Sequence, residues 1–175
     1  IMELGIPMVL ALNMMDEVEK NGGTIRVNEL EAELGIPVVP ISAAKNQGVD
    51  ELVDHALHVA RFYELPEQID FCPSSEEEHN PLGAVHRCIH ATAHLIEPYA
   101  EQAFVPLRFA ATKMVEGDEL IKEKLSLPES ALSSIDELIT SMEQDAGMDS
   151  EAALANMRFS FLSELCSKTV VRPHE

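Results

Sequence analysis

The stretch that decides the fold is Pro7-Met-Val-Leu-Ala-Leu-Asn-Met-Met-Asp16, an apolar run that stops abruptly at an Asn and an Asp. We interpret it as a buried strand with polar side chains at its C-terminal end. In an open α/β sheet, ligands bind in the crevice beyond the carboxyl ends of the strands. The run therefore predicts a buried strand with a binding site at its end.

A second apolar run follows at Pro37 to Ser42, and it too ends in small polar residues. From Val49 onwards, apolar residues recur at helical spacing, which predicts a long helix. Strands that alternate with helices predict a parallel sheet with right-handed crossovers. Residues 1–66 are therefore expected to form part of a doubly wound α/β domain.

The segment between the two runs predicts a short helix. Asn28 can cap its start, Glu31 occupies the capping-box position, and Gly35 can end it. Leu30 and Leu34 lie four residues apart, so they share one face of this helix. We expect that face to be buried.

The composition changes after Pro66. Residues 67–80 form an acidic, polar linker that contains Glu76-Glu-Glu78, and residues 68–72 are expected to add at most a short edge strand. Residues 81–175 are helical in pattern, so we expect an all-helical bundle. The predicted helices are 81–102, 106–115, 118–125, 129–146 and 150 to about 167.

Charge and hydropathy limit the function classes. The chain carries 31 acidic and 12 basic residues, a formal net charge of -19, and this charge repels phosphate backbones, so nucleic-acid binding is not expected. No segment has the roughly 18 to 20 continuous apolar residues of a membrane span. We expect this segment to be soluble and not inserted in a membrane.

Two short motifs each lie at the end of a predicted strand, Asn13-Met-Met-Asp16 and Ser42-Ala43-Ala44. They resemble the guanine-recognition pair of GTP-binding domains. The resemblance implies that the Asp16 carboxylate accepts hydrogen bonds from N1–H and the exocyclic amine of guanine. Adenine does not offer that pair of donors. A bidentate contact of this kind is worth about 1–3 kcal/mol of discrimination.

The resemblance also implies roles for the other residues of the pair. Asn13 would tie the loop together and reach the base, and the backbone N–H of Ala43 or Ala44 would donate to O6 of guanine. Met14 stands where the family usually has a Lys whose stem packs on the base. The apolar stem is thus kept and the ammonium is lost.

Two later segments narrow the resemblance. They are Leu107-Arg-Phe-Ala-Ala-Thr-Lys-Met-Val-Glu-Gly-Asp118 and Ala155-Asn-Met-Arg-Phe-Ser-Phe-Leu162. With these segments and the Asn-Met-x-Asp motif, the chain is similar to the cytosolic N-terminal region of the ferrous-iron transport protein B (FeoB) family. The similarity implies a GTPase domain, a helical regulatory domain and, in the parent chain, a membrane permease that transports ferrous iron. It implies a location on the cytoplasmic side of the inner membrane.

The 175 residues contain no G-x-x-x-x-G-K-[S/T] phosphate loop, no switch segments and no Asp-x-x-Gly loop. We expect a fragment that begins at Ile1 within a longer polypeptide, with the first half of the GTPase-like sheet absent. Enzymes catalyse phosphoryl transfer mainly by positioning the phosphates and stabilising their negative charge, and the missing segments supply these functions. The chain alone is therefore expected to bind the base of GTP or GDP without hydrolysis. Mg²⁺ belongs to the intact parent, and we assign no catalytic residue.

His86, His90 and His94 recur every four residues on one predicted helix. Histidines at this spacing can share a metal ion. The apolar stripe of the helix lies about 140° away from them, however, as the helical periodicity requires. We expect the three histidines to be surface residues without a carboxylate from another element nearby, and we assign no metal ligand.

Two other functions are compatible with parts of the sequence. The chain could be an acidic helical protein-interaction module in which both strand ends are merely capped turns. It could also be a fragment of another GTPase related to translation factors and ribosome-associated GTPases, although its acidic helical part argues against RNA binding. The first of these predicts no guanine binding even when a phosphate loop is supplied.

Overall fold

The computed structural model describes residues 1–67, 69–71 and 81–172. The described residues of Ile1–Ile69 and Leu162–Glu175 form one compact unit, and those of Asp70–Phe161 form a second. Most of the predicted acidic linker, including Glu76-Glu-Glu78, lies outside the described residues. The predicted domain boundaries at 66 and 81 stay a prediction.

The first unit contains the predicted parallel strand pair. Strand β1 (Leu10–Leu12) pairs with β3 (Val38–Pro40), with Leu10 opposite Val38. Val38 and Val39 are almost fully buried, as expected for a strand that is covered by other elements. Both strands are shorter than the apolar runs that predicted them, because pairing extends only over the three residues that lie opposite each other.

Three helices accompany this sheet, α1 (Met15–Lys20), α2 (Val27–Leu34) and α3 (Val49–Phe62). Helix α1 begins within the first predicted loop, so that Met15 and Asp16 lie in its first turn, and α3 follows the second loop. Both helices therefore begin at the carboxyl end of a strand, where the α/β pattern places them.

Helix α2 buries Leu30 and Leu34 and ends at Gly35, as predicted. The predicted cap was wrong, because the helix begins at Val27, one residue before Asn28. The Glu31 carboxylate accepts a hydrogen bond from the Val38 N–H at 2.8 Å instead of closing a capping box. It thereby joins α2 to the start of β3.

A second strand pair was not predicted. Strands β2 (Thr24–Ile25) and β4 (Val170–Val171) are antiparallel, and the Arg26 N–H donates to the Thr169 carbonyl at 2.7 Å. Each strand has two residues, too few for a detectable alternation. This pairing is the reason that the last described residues belong to the first unit.

The second unit is helical, and its helices follow the predicted spans within two residues. Residues 69–71 form no strand, and Pro98 lies inside its helix without ending it. The Asp118 side chain caps the helix that begins at Glu119, because it accepts a hydrogen bond from the Ile121 N–H. The helices from Pro81 onwards are α4 (Pro81–Gln102), α5 (Leu107–Val115), α6 (Glu119–Leu125), α7 (Glu129–Ala146) and α8 (Ser150–Thr169), and the residues of α8 from Leu162 onwards are assigned to the first unit.

The core of the second unit consists of the predicted apolar stripes. The most deeply buried large apolar side chains belong to α4, α5, α7 and α8, and all are at most 1% exposed: Val85, Ile89, Ile96, Val115, Ile135, Leu154 and Met157. Burial of such side chains is the main favourable term in folding. In the described part of the chain, no helix combines the length and the apolarity that crossing a membrane requires.

Replacement of Gly48 by Ala should destabilise the first unit more than the same change at Gly5. Both glycines have positive φ, +72° and +61°, where an L-residue costs about 1–2 kcal/mol. A methyl group at Gly48 would also overlap the Pro40 carbonyl oxygen, whereas Gly5 has open space around it. Urea unfolding followed by the amide signals of β1 and β3 measures the difference, and equal losses would contradict the steric argument.

Candidate functional site

The two predicted loops lie side by side because β1 and β3 are adjacent and parallel. The Met15 N–H donates to the Ile41 carbonyl at 3.1 Å, and the Ile41 N–H donates to the Leu12 carbonyl at 2.8 Å. These bonds continue the strand pairing into the loops. The structure thus brings residues 13–16 to residues 42–44.

Asn13 links the two loops through its side chain. Its Oδ1 atom accepts hydrogen bonds from the Met14 N–H at 2.8 Å and from the Ala43 N–H at 3.1 Å. The second bond joins residues thirty positions apart in the chain. One amide oxygen therefore holds both loops in place.

Met14 has φ of 64°, in the left-handed region, and the residue is 60% exposed. A non-glycine residue rarely adopts this conformation outside turns and functional sites. The conformation allows the chain to turn sharply from β1 into α1. It leaves an apolar side chain in solvent directly beside Asn13.

The Asp16 carboxylate is held in its ionised form. Lys45 Nζ lies 2.8 Å from Asp16 Oδ2, and the Ser42 hydroxyl also donates to this carboxylate, so that the pKa of Asp16 is held below its usual value. The Asp16 side chain is only 16% exposed. An ionised carboxylate accepts hydrogen bonds at both oxygens, which suits a ligand that presents two donors.

The second loop is closed on itself. Ser42 is 3% exposed, and its N–H and carbonyl exchange hydrogen bonds with Gln47, both at 3.0 Å. Ala43, Ala44 and Lys45 form a short 3₁₀ turn within this closed loop. The N–H of Ala43 is committed to Asn13, while Ala44 is exposed at the same edge.

The six residues proposed from the sequence lie together in the loops after β1 and β3, and their binding role stays a prediction, whereas Lys45 was not proposed. Lys45 follows Ser42 by three residues, and nothing in that spacing shows that its ammonium returns to Asp16. Only the adjacent parallel strands bring it there. The signal that could have found it is the single cation within the second polar loop.

We expect the Lys45→Met substitution to raise the pKa of Asp16 towards its ordinary value of 3.8, because the largest cause of the lowering is removed. A carboxylate whose pKa is lowered in the folded state adds stability above its unfolded pKa and loses it as the pH falls through the folded pKa. NMR titration of the Asp16 carboxyl carbon measures the change. Lys20→Met removes the same charge at the end of α1 and should leave the Asp16 titration unchanged.

The structure corrects the prediction for the histidine row. His86 is half-buried, with its side chain 23% exposed, and the Asp70 carboxylate lies beside it and His90. Asp70 precedes α4 by eleven residues, so a carboxylate from another segment is present where none was expected. His94 is exposed, as predicted, and lines a shallow surface groove with Leu95 of α4 and Leu138 of α7.

Comparison with solved structures defines the class of protein. A GDP-bound mutant of NFeoB from S. thermophilus has a TM-score of 0.78 and 28% sequence identity, with 97% of this chain and 61% of that chain covered. The same protein bound to GDP, AlF4⁻ and K⁺ has a TM-score of 0.73 and 29% identity, with 95% and 60% covered. The fold is therefore part of a GTPase α/β domain with a helical domain, as the sequence predicted.

Family comparisons narrow this class. Residues 1–56 match the family described as ferrous iron transport protein B, and residues 83–171 match the FeoB cytosolic helical domain. The chain belongs to the ferrous iron transport protein B family, which confirms the resemblance seen in the sequence.

Curated relatives agree with this assignment. The Fe(2+) transport protein A/Fe(2+) transporter FeoB fusion protein of Porphyromonas gingivalis is 32% identical over 95% of this chain and 20% of its own length. The Fe(2+) transporter FeoB of Legionella pneumophila (strain Paris) is 30% identical over 93% of this chain and 19% of its own length. The chain spans about a fifth of the length of these relatives.

Proposed function

We propose that the loops Asn13–Asp16 and Ser42–Ala44 bind the guanine base of GTP or GDP. The observation that carries the proposal is the Asn13 side chain, which joins the two loops beside the ionised Asp16 carboxylate. In this binding mode Asp16 accepts from N1–H and from the exocyclic amine of guanine. The S. thermophilus relatives were solved with guanine nucleotides bound, which supports the same ligand here.

The contacts within the loops assign the remaining roles. Asn13 Oδ1 already accepts two backbone bonds, so its NH₂ group is the part that can donate to the base. The Ala43 N–H is held by Asn13, so the Ala44 N–H is the donor proposed for O6. The exposed Met14 side chain packs on the face of the base.

Mg²⁺ does not fit among these loop residues. Asp16 is the only carboxylate in residues 13–16 and 42–44, and Lys45 already pairs with it. Mg²⁺ is usually held by one or two carboxylates together with the nucleotide phosphates. We therefore propose that Mg²⁺ is bound with the phosphates by other residues of the parent, and we assign no catalytic residue to this chain.

At the level of the whole chain, we propose the base-recognition and helical regulatory portion of a GTPase that is coupled to ferrous-iron transport. Residues 1–66 would supply base recognition, 67–80 the linker and 81–175 the helical regulatory domain. Its partner would be the membrane permease of the same parent, at the cytoplasmic face of the inner membrane. The names of the curated relatives, both Fe(2+) transporters, support this proposal.

The base-recognition proposal can be tested on this chain by NMR titration with GMP and with AMP. GMP should shift the amide signals of Met14, Ala43 and Ala44 in a saturable manner. AMP should produce no saturable shift at these residues, because adenine lacks the two donors that Asp16 accepts. Equal responses to GMP and AMP would exclude guanine recognition by this loop pair.

A further inference from the structure

We propose that Asp70, His86 and His90 form a binding site for a divalent first-row transition-metal ion. One ligand atom from each of the three residues lies within 4.8 Å of the ligand atoms of the other two. The site belongs to the second unit and does not depend on nucleotide binding. It uses two of the three histidines of the predicted row and adds a carboxylate from the segment before α4.

The distances within this cluster suit a shared ion. Asp70 Oδ2 lies 3.7 Å from His86 Nδ1 and 3.6 Å from His90 Nε2. An ion held at about 2.0–2.1 Å from each ligand in tetrahedral geometry needs neighbouring ligand atoms about 3.3 Å apart. The two distances from Asp70 are therefore only a few tenths of an ångström longer than this coordination requires.

Neighbouring residues orient the carboxylate. Arg108 Nη2 donates to Asp70 Oδ1 at 2.7 Å, which leaves Oδ2 turned towards the two histidines. Phe71, the next residue after Asp70, packs edge to face against Phe161, with ring centroids 4.8 Å apart. An outer-shell partner and a packed neighbour are the usual means by which proteins orient a metal ligand.

Arg108 also shows which nitrogen of His90 can bind an ion. Its Nη1 atom lies 3.3 Å from His90 Nε2, and a guanidinium can only donate. His90 Nε2 therefore presents a lone pair, which is the same lone pair that a metal ion requires. On metal binding the ion takes the place of the Nη1 donor, while Nη2 keeps its bond to Asp70.

The donor set indicates the class of ion. Imidazole nitrogen suits Zn²⁺, Fe²⁺, Co²⁺ and Ni²⁺, whereas Mg²⁺ and Ca²⁺ prefer oxygen ligands throughout. Two imidazoles and one carboxylate leave further coordination positions for water or another ligand. The side chains of Asp70 and His90 are 46% and 48% exposed, so an ion from solvent can reach the cluster.

The test is a titration of the 175-residue chain with Co²⁺, followed by visible absorption, with His94→Ala as the matched control. We expect one saturable Co²⁺ site whose absorption is lost on addition of Zn²⁺ but not of Mg²⁺. His86→Ala and His90→Ala should each weaken binding at least tenfold, since loss of an outer-shell partner alone costs about 10–100-fold. His94→Ala makes the same change one turn further along α4 and should leave the affinity unchanged.

Asp70→Asn keeps the shape of the side chain and removes the charge, so it should weaken Co²⁺ binding as well. Helical circular dichroism should be the same for all four variants, which separates loss of a ligand from unfolding. Saturable binding that survives His90→Ala, or that His94→Ala weakens as much as His90→Ala does, would overturn the proposal. Absence of any saturable Co²⁺ binding by the unmodified chain would overturn it too.

Discussion

Replacement of Asp16 by Asn should move the base preference from guanine towards xanthine. In the proposed binding mode the carboxylate accepts from two donors of guanine, whereas an Asn side chain accepts at one atom and donates at the other. Xanthine carries a carbonyl oxygen in place of the exocyclic amine of guanine, so the donor of Asn finds an acceptor there. The substitution should therefore weaken one ligand and strengthen the other.

The size of this effect follows from the bidentate contact. Loss of about 1–3 kcal/mol corresponds to an affinity for guanosine nucleotides that is about 5–150-fold weaker, since 1.4 kcal/mol is tenfold. The measurement is a titration with GDP and with xanthosine diphosphate, after a GTPase segment that carries a phosphate loop has been joined upstream of Ile1. The joined segment supplies phosphate contacts that are equal for both ligands.

Asp54→Asn is the matched control for this experiment. Asp54 is exposed on α3, and the change removes the same charge without touching either loop. A variant that merely disturbed the loop through loss of the Lys45 pair would weaken both nucleotides, whereas a change of recognition strengthens xanthosine diphosphate binding. An unchanged preference in Asp16→Asn would show that this carboxylate does not contact the base.

The Leu154→Ala substitution should lower the free energy of unfolding of the second unit by about 2–5 kcal/mol. This range is typical for removal of a buried leucine side chain, because the lost transfer free energy adds to the cost of the cavity that remains. Leu154 is 0% exposed and belongs to the apolar cluster of this unit. Urea unfolding followed by the helical circular dichroism signal provides the measurement.

Leu120→Ala serves as the control, because it makes the same chemical change in the same unit. Leu120 lies on α6 and is 77% exposed, and exposed positions usually change stability by less than about 0.5 kcal/mol. A loss below about 1 kcal/mol at Leu154 would mean that its surroundings collapse onto the space left by the side chain. Similar losses at both positions would contradict the burial assigned to them.

The helices of the second unit were predictable because their apolar residues recur at one period over many turns. Helices α4 and α7 begin and end at the predicted residues, since Pro81 and Gly147 mark boundaries that depend only on local backbone preferences. The cap at Asn28 was not predictable in this way. The Glu31 carboxylate accepts a hydrogen bond from the Val38 N–H and does not form a capping box. Val38 belongs to β3, so this contact depends on the packing of a different element.

The two loops proposed to bind guanine show the same difference between features that neighbouring residues determine and features that distant residues determine. Asn13, Asp16 and Ser42 are visible in the sequence as polar residues at the ends of apolar runs, and these runs indicate the strands directly. The return of Lys45 to Asp16 depends on the adjacency of β1 and β3. The role of Asn13 as the link between the loops becomes definite only through its bond to the Ala43 N–H.

The sequence by itself determined the helices, the parallel strand pair, the family and the six loop residues at the strand ends. These features depend on the periodicity of apolar residues and on residue types at short spacing, which are properties of neighbouring positions. Only the tertiary structure decided the pairing of β2 with β4, the Asp16–Lys45 pair and the placement of Asp70 beside His86 and His90. Each of these joins segments that come together through packing, and no local spacing in the chain encodes such a contact.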